Sequence, residues 1–275
     1  MKRAHWIFLS AALLLGAGCQ SVDTTRQGAV GVERHQRMLV SSEQMNQGAE
    51  KAYADILSQA KAKNALNTDA AAVERVRAIA NRLIPQTAAF RDDAPKWKWE
   101  TNVLSTGDVN AWCMPGGKIA VYTGLIQKLN PTDDELAAVM GHEMAHALRE
   151  HSREQASQQM AEGLGLSVLG AVTGMGDAAL NLAQMVANVT LDLPHSRTDE
   201  TEADRIGVEL AARAGYDPRA AVSLWQKMQK LGGSQPPQWL STHPSHETRV
   251  ADLQNYSARV LPLYQTAKGN PGAGK

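Results

Sequence analysis

At 275 residues the chain is long enough to bury one substantial core, and 43% hydrophobic with 20% charged residues is ordinary for a folded globular domain. The formal net charge is zero, so nothing suggests a nucleic-acid partner and none is expected. Helix formers dominate and aromatics are only 5%, which leans toward a largely helical fold.

Met1-Lys2-Arg3 is a short positive start, and the apolar run from Trp6 to Gly16 is too short to span a bilayer comfortably. Together they read as a secretory signal peptide over residues 1–18. Cys19 follows small residues, as at a bacterial lipoprotein processing site, although Leu15 stands one place further from it than the usual pattern has. Lipidation of Cys19 is expected, with residues 19–40 as a small, polar tether. Such an anchor puts the protein on the periplasmic side of a bacterial cell envelope, and Gln20 after the cysteine points to the outer membrane. Cys113 is then the lone thiol of the mature chain, and burial is its expected state.

Ser41 with Gln44 resembles a capping box and opens a helix to about Ala60. A second helix starts near Asp69, with Val73, Val76, Ile79, Ala80 and Leu83 at helical spacing, and Pro85 stops it. The alternation around Trp97 and Trp99 predicts a strand, and Asn110 to Met114 and Lys118 to Tyr122 predict two more around the Pro115-Gly116-Gly117 turn. Pro115 places this piece at the border of the sheet. Thr132 and Glu135 form a second capping box, and the helix they open is expected to run past His151. Residues 163–189 are apolar but interrupted by Gly163, Gly165, Gly170, Gly174 and Gly176, which predicts a movable helical hairpin over the site. Further helices are expected from Thr198 to Gly215, from Pro218 to Gly232, and from Ser245 to about Val260. Residues 41–262 thus form one domain and 263–275 a disordered tail.

His142-Glu143-Met144-Ala145-His146 carries the chemistry. Residues four apart on a helix lie roughly 40° apart around the axis and about 6 Å along it, so both imidazoles can reach one zinc ion. Glu143 sits on the adjoining face, where its carboxylate can take a proton from water. Arg149 and Ser152 stand where a metzincin has glycine and histidine, which excludes that class. His151 would lie about 140° away from His146 on a continuous helix, out of reach of the site. A downstream carboxylate is the remaining common solution, and Asp199, Glu200, Glu202 and Asp204 offer four. On a helix Glu200 and Asp204 share a face while Glu202 points elsewhere, which suits Glu200 as ligand and Asp204 as the partner that orients a ligand histidine.

The HEMAH stretch, the later Ser196-to-Asp204 run S-R-x-x-E-x-E-A-D and Ala214-Gly215-Tyr216-Asp217-Pro218 resemble the HtpX-like CAAX-prenyl-endopeptidase family of gluzincin zinc metalloproteases. Asp108-Val109-Asn110-Ala111, Pro115-Gly116-Gly117 and Thr123-Gly124-Leu125 are similar to that family's edge-strand region, and the likeness extends over residues 30–260. The resemblance implies an α+β, predominantly helical gluzincin fold with a small mixed sheet. It implies one zinc ion held by His142, His146 and Glu200, with Glu143 as base. The family's late H-P-x-R element is matched by His243-Pro244 and Arg249, which it brings to the cleft; there His243 would stabilise the oxyanion or occupy the open metal position. His195 and His246 are expected to be ordinary polar residues. The lack of multiple apolar spans is similar to the soluble, envelope-facing lipoprotein branch. An exposed strand at Asn110, Ala111 and Trp112 would then take substrate by strand addition. The expected substrates are unfolded or misassembled envelope polypeptides, cut by a zinc-dependent endopeptidase held to the membrane by its lipid anchor.

Overall fold

The strands alternate between two cores, as a sheet buried on both faces must. The structure, a computed structural model, describes residues 20–162, 178–231, 238–244 and 248–269. Its main sheet contains β3 (Glu100–Leu104), β4 (Ala111–Met114) and β5 (Lys118–Tyr122), following a small antiparallel pair, β1 (Gln20–Val22) and β2 (Gln36–Met38). The order β3-β5-β4 puts β5 in the centre, parallel to β3 and antiparallel to β4, so β4 is an edge as expected. Val103, Ala111, Cys113, Ile119 and Val121 face the larger core, while Leu104, Trp112, Met114 and Ala120 face the smaller one. Gly116 and Gly117 turn the chain between β4 and β5 at φ of 76° and 85°, values that favour glycine.

Helix α1 (Ser42–Ala62) opens with the Ser41–Gln44 capping box and covers the smaller core, where the Tyr53 hydroxyl donates to the Ile119 carbonyl at 2.7 Å. Helix α2 (Ala70–Leu83), capped by Asp69, lies on the other face, and Pro85 diverts the chain into a 3-10 turn. After the short α3 (Thr123–Leu129), the Thr132–Glu135 box opens α4 (Asp133–Leu148), which is buried along its length. Next come α5 (His151–Ala161), α6 (Ala178–Ala187), α7 (Arg197–Arg213), α8 (Ala220–Leu231), the short α9 (Gln238–Thr242) and α10 (Arg249–Gly269).

Four expectations are corrected. Trp97 and Trp99 are not in a strand: Pro95 seeds a 3-10 turn, and both indole N–H groups bond back to it, Trp97 to Asp93 at 3.0 Å and Trp99 to the Ala94 carbonyl at 2.8 Å. The helix bearing His142 does not run past His151, because Glu150 adopts a left-handed φ of 53° and a new helix starts after it. Residues 20–40 are no loose tether: β1 pairs with β2, and Val30, Val32, Met38 and Val40 are buried. The last helix continues beyond 262 to Gly269, with Leu263 and Tyr264 packed on the core.

Cys19, the leader and His246 lie outside the described residues, as do 163–177 of the expected hairpin. The rest of that hairpin is core: α6 packs on α1 so closely that a Cβ on Gly48 would fall 2.7 Å from Val186, and Ala183, Val186 and Val189 are buried. Cys113 is buried, and burial pushes its thiol pKa well up.

Candidate active site

Two helices cross where the candidate metal ligands sit. Gly141 on α4 and Gly207 on α7 meet with no side chain between them. A Cβ on Gly141 would fall 2.8 Å from the Gly207 carbonyl oxygen, and one on Gly207 would fall 2.8 Å from the His142 nitrogen. This backbone contact lets α4 present His142 and His146 directly to Glu200, one turn into α7. The Ser196 capping box, closed by Asp199, fixes where α7 begins and therefore where Glu200 points.

His142 Nε2 and His146 Nε2 are 3.1 Å apart, and Glu200 oxygens lie 3.6 Å and 3.3 Å from them. Donors on a tetrahedron around zinc, each about 2.0–2.1 Å from the ion, are about 3.3 Å from one another. The three groups therefore fit one zinc ion as they stand. His243 fits the fourth corner, its Nδ1 3.3 Å from His142 Nε2 and 2.9 Å from a Glu200 oxygen. All four donors are buried and mutually within 4.8 Å.

The surroundings hold the donors in place. Arg249, fully buried with its guanidinium 3.4 Å over the Trp225 ring, donates to Glu200 Oε2 at 2.7 Å and to Asp204 Oδ1 at 2.8 Å. Asp204 Oδ1 stands 3.0 Å from His142 Nδ1, in ion-pair range although no hydrogen bond of good geometry forms. Burial pushes Glu200 up, but His243 and His146 outweigh it and hold the carboxyl well below its ordinary value. Burial pushes Asp204 up to about 6 against the pull of Arg249. Glu143 is pushed up to about 7 by burial, and the Trp239 indole N–H bonds its Oε1 at 2.7 Å. His142 and His146 are held neutral by burial, the form in which imidazole binds metal. His243 is raised instead, because Glu143 and Glu200 overcome its burial.

Every chemistry-bearing residue expected at the centre is there: His142, Glu143, His146, Glu200, Asp204, His243 and Arg249. Asn110, Ala111 and Trp112 lie at the sheet edge but are not exposed; they are buried, β4 packs against the turn Asn188–Asp192, and the Val109 carbonyl accepts from the Trp239 amide at 3.2 Å. Three residues were missed. Trp239 has no local motif that signals it. His195 is not an ordinary polar residue: it is buried, and its ring stacks 4.0 Å from that of His146. His151 does reach the site, its Nδ1 2.9 Å from His146 Nδ1, because the chain turns at Glu150. A helix-breaking residue between the two histidines would have been the signal, and glutamate is not one.

Residues 70–257 match Peptidase family M48. The chain is 36% identical over 187 residues to "Metalloendopeptidase OMA1, mitochondrial" of Bos taurus, an alignment covering 64% of this chain and 36% of that protein. It is 40% identical over 172 residues to "Mitochondrial metalloendopeptidase OMA1" of Arabidopsis thaliana, covering 61% and 34%. To "Beta-barrel assembly-enhancing protease" of Escherichia coli (strain K12) it is 28% identical over 170 residues, covering 58% and 35%. The aligned region is thus little more than a third of each of these relatives. These names overturn the location drawn from the leader. Relatives at 36% and 40% identity are mitochondrial by name, so the periplasmic, outer-membrane placement in a bacterial envelope does not stand. Among the described residues no helix is long and apolar enough to cross a membrane.

Proposed function

The chain belongs to peptidase family M48, and on that premise we propose that it is a zinc-dependent endopeptidase acting on unfolded or misassembled polypeptides. One observation carries this reading: three buried donors spaced for a single zinc ion, with a carboxylate that is not a ligand beside them. Zinc held by His142, His146 and Glu200 would supply Lewis acidity, lowering the pKa of water toward neutrality and polarising the scissile carbonyl. Glu143 takes the proton of the attacking water and passes it to the leaving amine. Its elevated pKa suits both halves of that transfer near neutral pH. Trp239 fixes the carboxylate that moves the proton.

His243 would hold the fourth donor place in this arrangement and would have to leave it for substrate; its Nε2 stands 3.5 Å from Glu143, on the side where an imidazole N–H would serve a developing oxyanion. The same fourth donor would favour a second reading, a binding protein with a closed structural zinc site. A buried base held by a dedicated indole favours the enzyme, since a structural site has no use for one. Strand addition at Asn110, Ala111 and Trp112 belongs to this proposal and requires the turn Asn188–Asp192 to move off β4. The finer kinship with the HtpX-like CAAX-prenyl endopeptidases and the lipid anchor at Cys19 are part of the same proposal, supported by the motifs and leader described above. The mass of the mature N-terminus tests the anchor, and an unmodified start elsewhere ends it. Cleavage of casein, abolished in Glu143→Gln with zinc retained, tests the activity; cleavage that survives this change would discard it.

A further inference from the structure

Beside the metal site, His151, Asp199 and Glu202 form a second group whose donor atoms lie close enough to hold an ion. Two guanidinium groups already fill that role. Arg34 reaches Glu202 at 2.7 Å, Asp199 at 3.0 Å and Glu154 at 2.6 Å, and Arg149 donates to Glu202 Oε2 at 2.9 Å. What the cluster offers instead is a line of hydrogen bonds that ends on a metal ligand.

His146 turns its Nε2 toward His142 and Glu200, which leaves Nδ1 for His151 Nδ1 at 2.9 Å. His151 Nε2 in turn lies 3.1 Å from Glu202 Oε2. Two facing ring nitrogens can bond only if one carries the proton. Glu202 is a pure acceptor, so His151 carries its proton on Nε2 and its Nδ1 is left to accept. His146 is then the Nδ1–H donor, which frees its Nε2 lone pair to face the metal. His151 is fully buried, which keeps water from competing for either bond.

We propose that His151 and Glu202 are positioning residues that fix the tautomer and ring orientation of His146 for metal binding, with Arg34 of the N-terminal segment holding Glu202 in place. This rests on the zinc site proposed above. Partners of this kind typically change metal affinity about 10–100-fold. Arg34 lies outside residues 70–257, so the support reaches the metal from outside the region matched by the family. Glu150 is the enabling residue: its left-handed backbone turns the chain back, and its carboxylate is tied down by Arg91 at 2.6 Å and Arg153 at 2.5 Å.

The test is zinc affinity, measured on the purified full-length protein by competition against a chromophoric chelator. His151→Ala should weaken zinc about 10–100-fold while circular dichroism of the metal-free protein stays unchanged. His151→Asn, which can return an acceptor to the place of Nδ1, should recover most of that loss. Arg34→Ala and Glu202→Gln should each weaken zinc in the wild type and add little once His151 is alanine. Wild-type affinity in His151→Ala, or an equal loss in the alanine and asparagine variants, overturns the proposal. Failure of the wild type to bind zinc overturns it together with the peptidase reading, and is distinguished by that control.

Discussion

The Trp239 indole N–H meets Glu143 Oε1 at 2.7 Å, with both side chains buried. A carboxylate that must accept and return a proton is thereby held by a donor that never gives its own away. Hydrogen bonds to charged groups contribute about 1.5–3 kcal/mol, so Trp239→Phe should lower kcat/KM about tenfold or more. Zinc content should not change. Steady-state kinetics on an unfolded substrate, with metal analysis, check this; unaltered kinetics would mean the bond is incidental.

Glu143→Gln removes the base and no ligand. It should keep about one zinc per chain and lose turnover by a factor on the order of 10²–10⁴. Loss of metal in this variant would contradict the division of labour between Glu143 and its neighbours.

Glu200→Ala should empty the site, since it deletes a ligand and also strips buried Arg249 of one of its two carboxylate partners, leaving only Asp204 at 2.8 Å. Glu202→Ala should still fill at saturating zinc, because Glu202 faces His151 and two arginines instead of the metal. Identical zinc content in the two variants at saturation would overturn Glu200 as the third ligand.

The chain was most legible where its signals are local. Both capping boxes, the β4–β5 turn and the HEMAH spacing depend on residues within a few positions of one another, and all appear as read. What stayed hidden depends on distant partners. Nothing around Glu150 announces a left-handed residue; Arg91, from a distant segment, and Arg153, one turn further on, secure its carboxylate. The placing of His151 out of reach assumed an unbroken helix and failed at that residue. The buried N-terminal segment was equally unreadable, because Arg34 and Gln36 look like solvated polar residues until Glu154 is seen 2.6 Å from each.

Gly207→Ala should separate helix packing from ligand chemistry. The added methyl meets the His142 backbone at 2.8–2.9 Å, and overpacking of this kind costs about 1–3 kcal/mol. The helices must part, so zinc affinity should fall although every ligand is present. A calorimetric isotherm checks this; unchanged affinity would show that the crossing has slack.

Acid should weaken the fold through Glu202. Burial pushes this carboxyl up, but bonds to His151, Arg34 and Arg149 prevail and hold it below the ordinary carboxylate range. A depressed folded pKa means stability that is present above the unfolded value of about 4.3 and lost as pH falls below it. Thermal melts of the metal-free protein should show the wild type ahead of Glu202→Gln at pH 6, with the gap closing toward pH 3. A gap that persists at low pH would mean the charge of Glu202 is not what stabilises.

The bare contact between Gly141 and Gly207 also bears on how the protein is made. Neither helix can assemble the metal cage alone, and His142 and His243 are 101 positions apart in the chain. The cage therefore closes only after distant segments have collapsed together, a slow class of folding event. Zinc should bind the finished molecule and ignore the nascent one. A metal present at a thousandfold over its dissociation constant would add about 4 kcal/mol to a fold that has already formed. In a cell, the supply of zinc would then govern how long this protein survives as well as whether it is active.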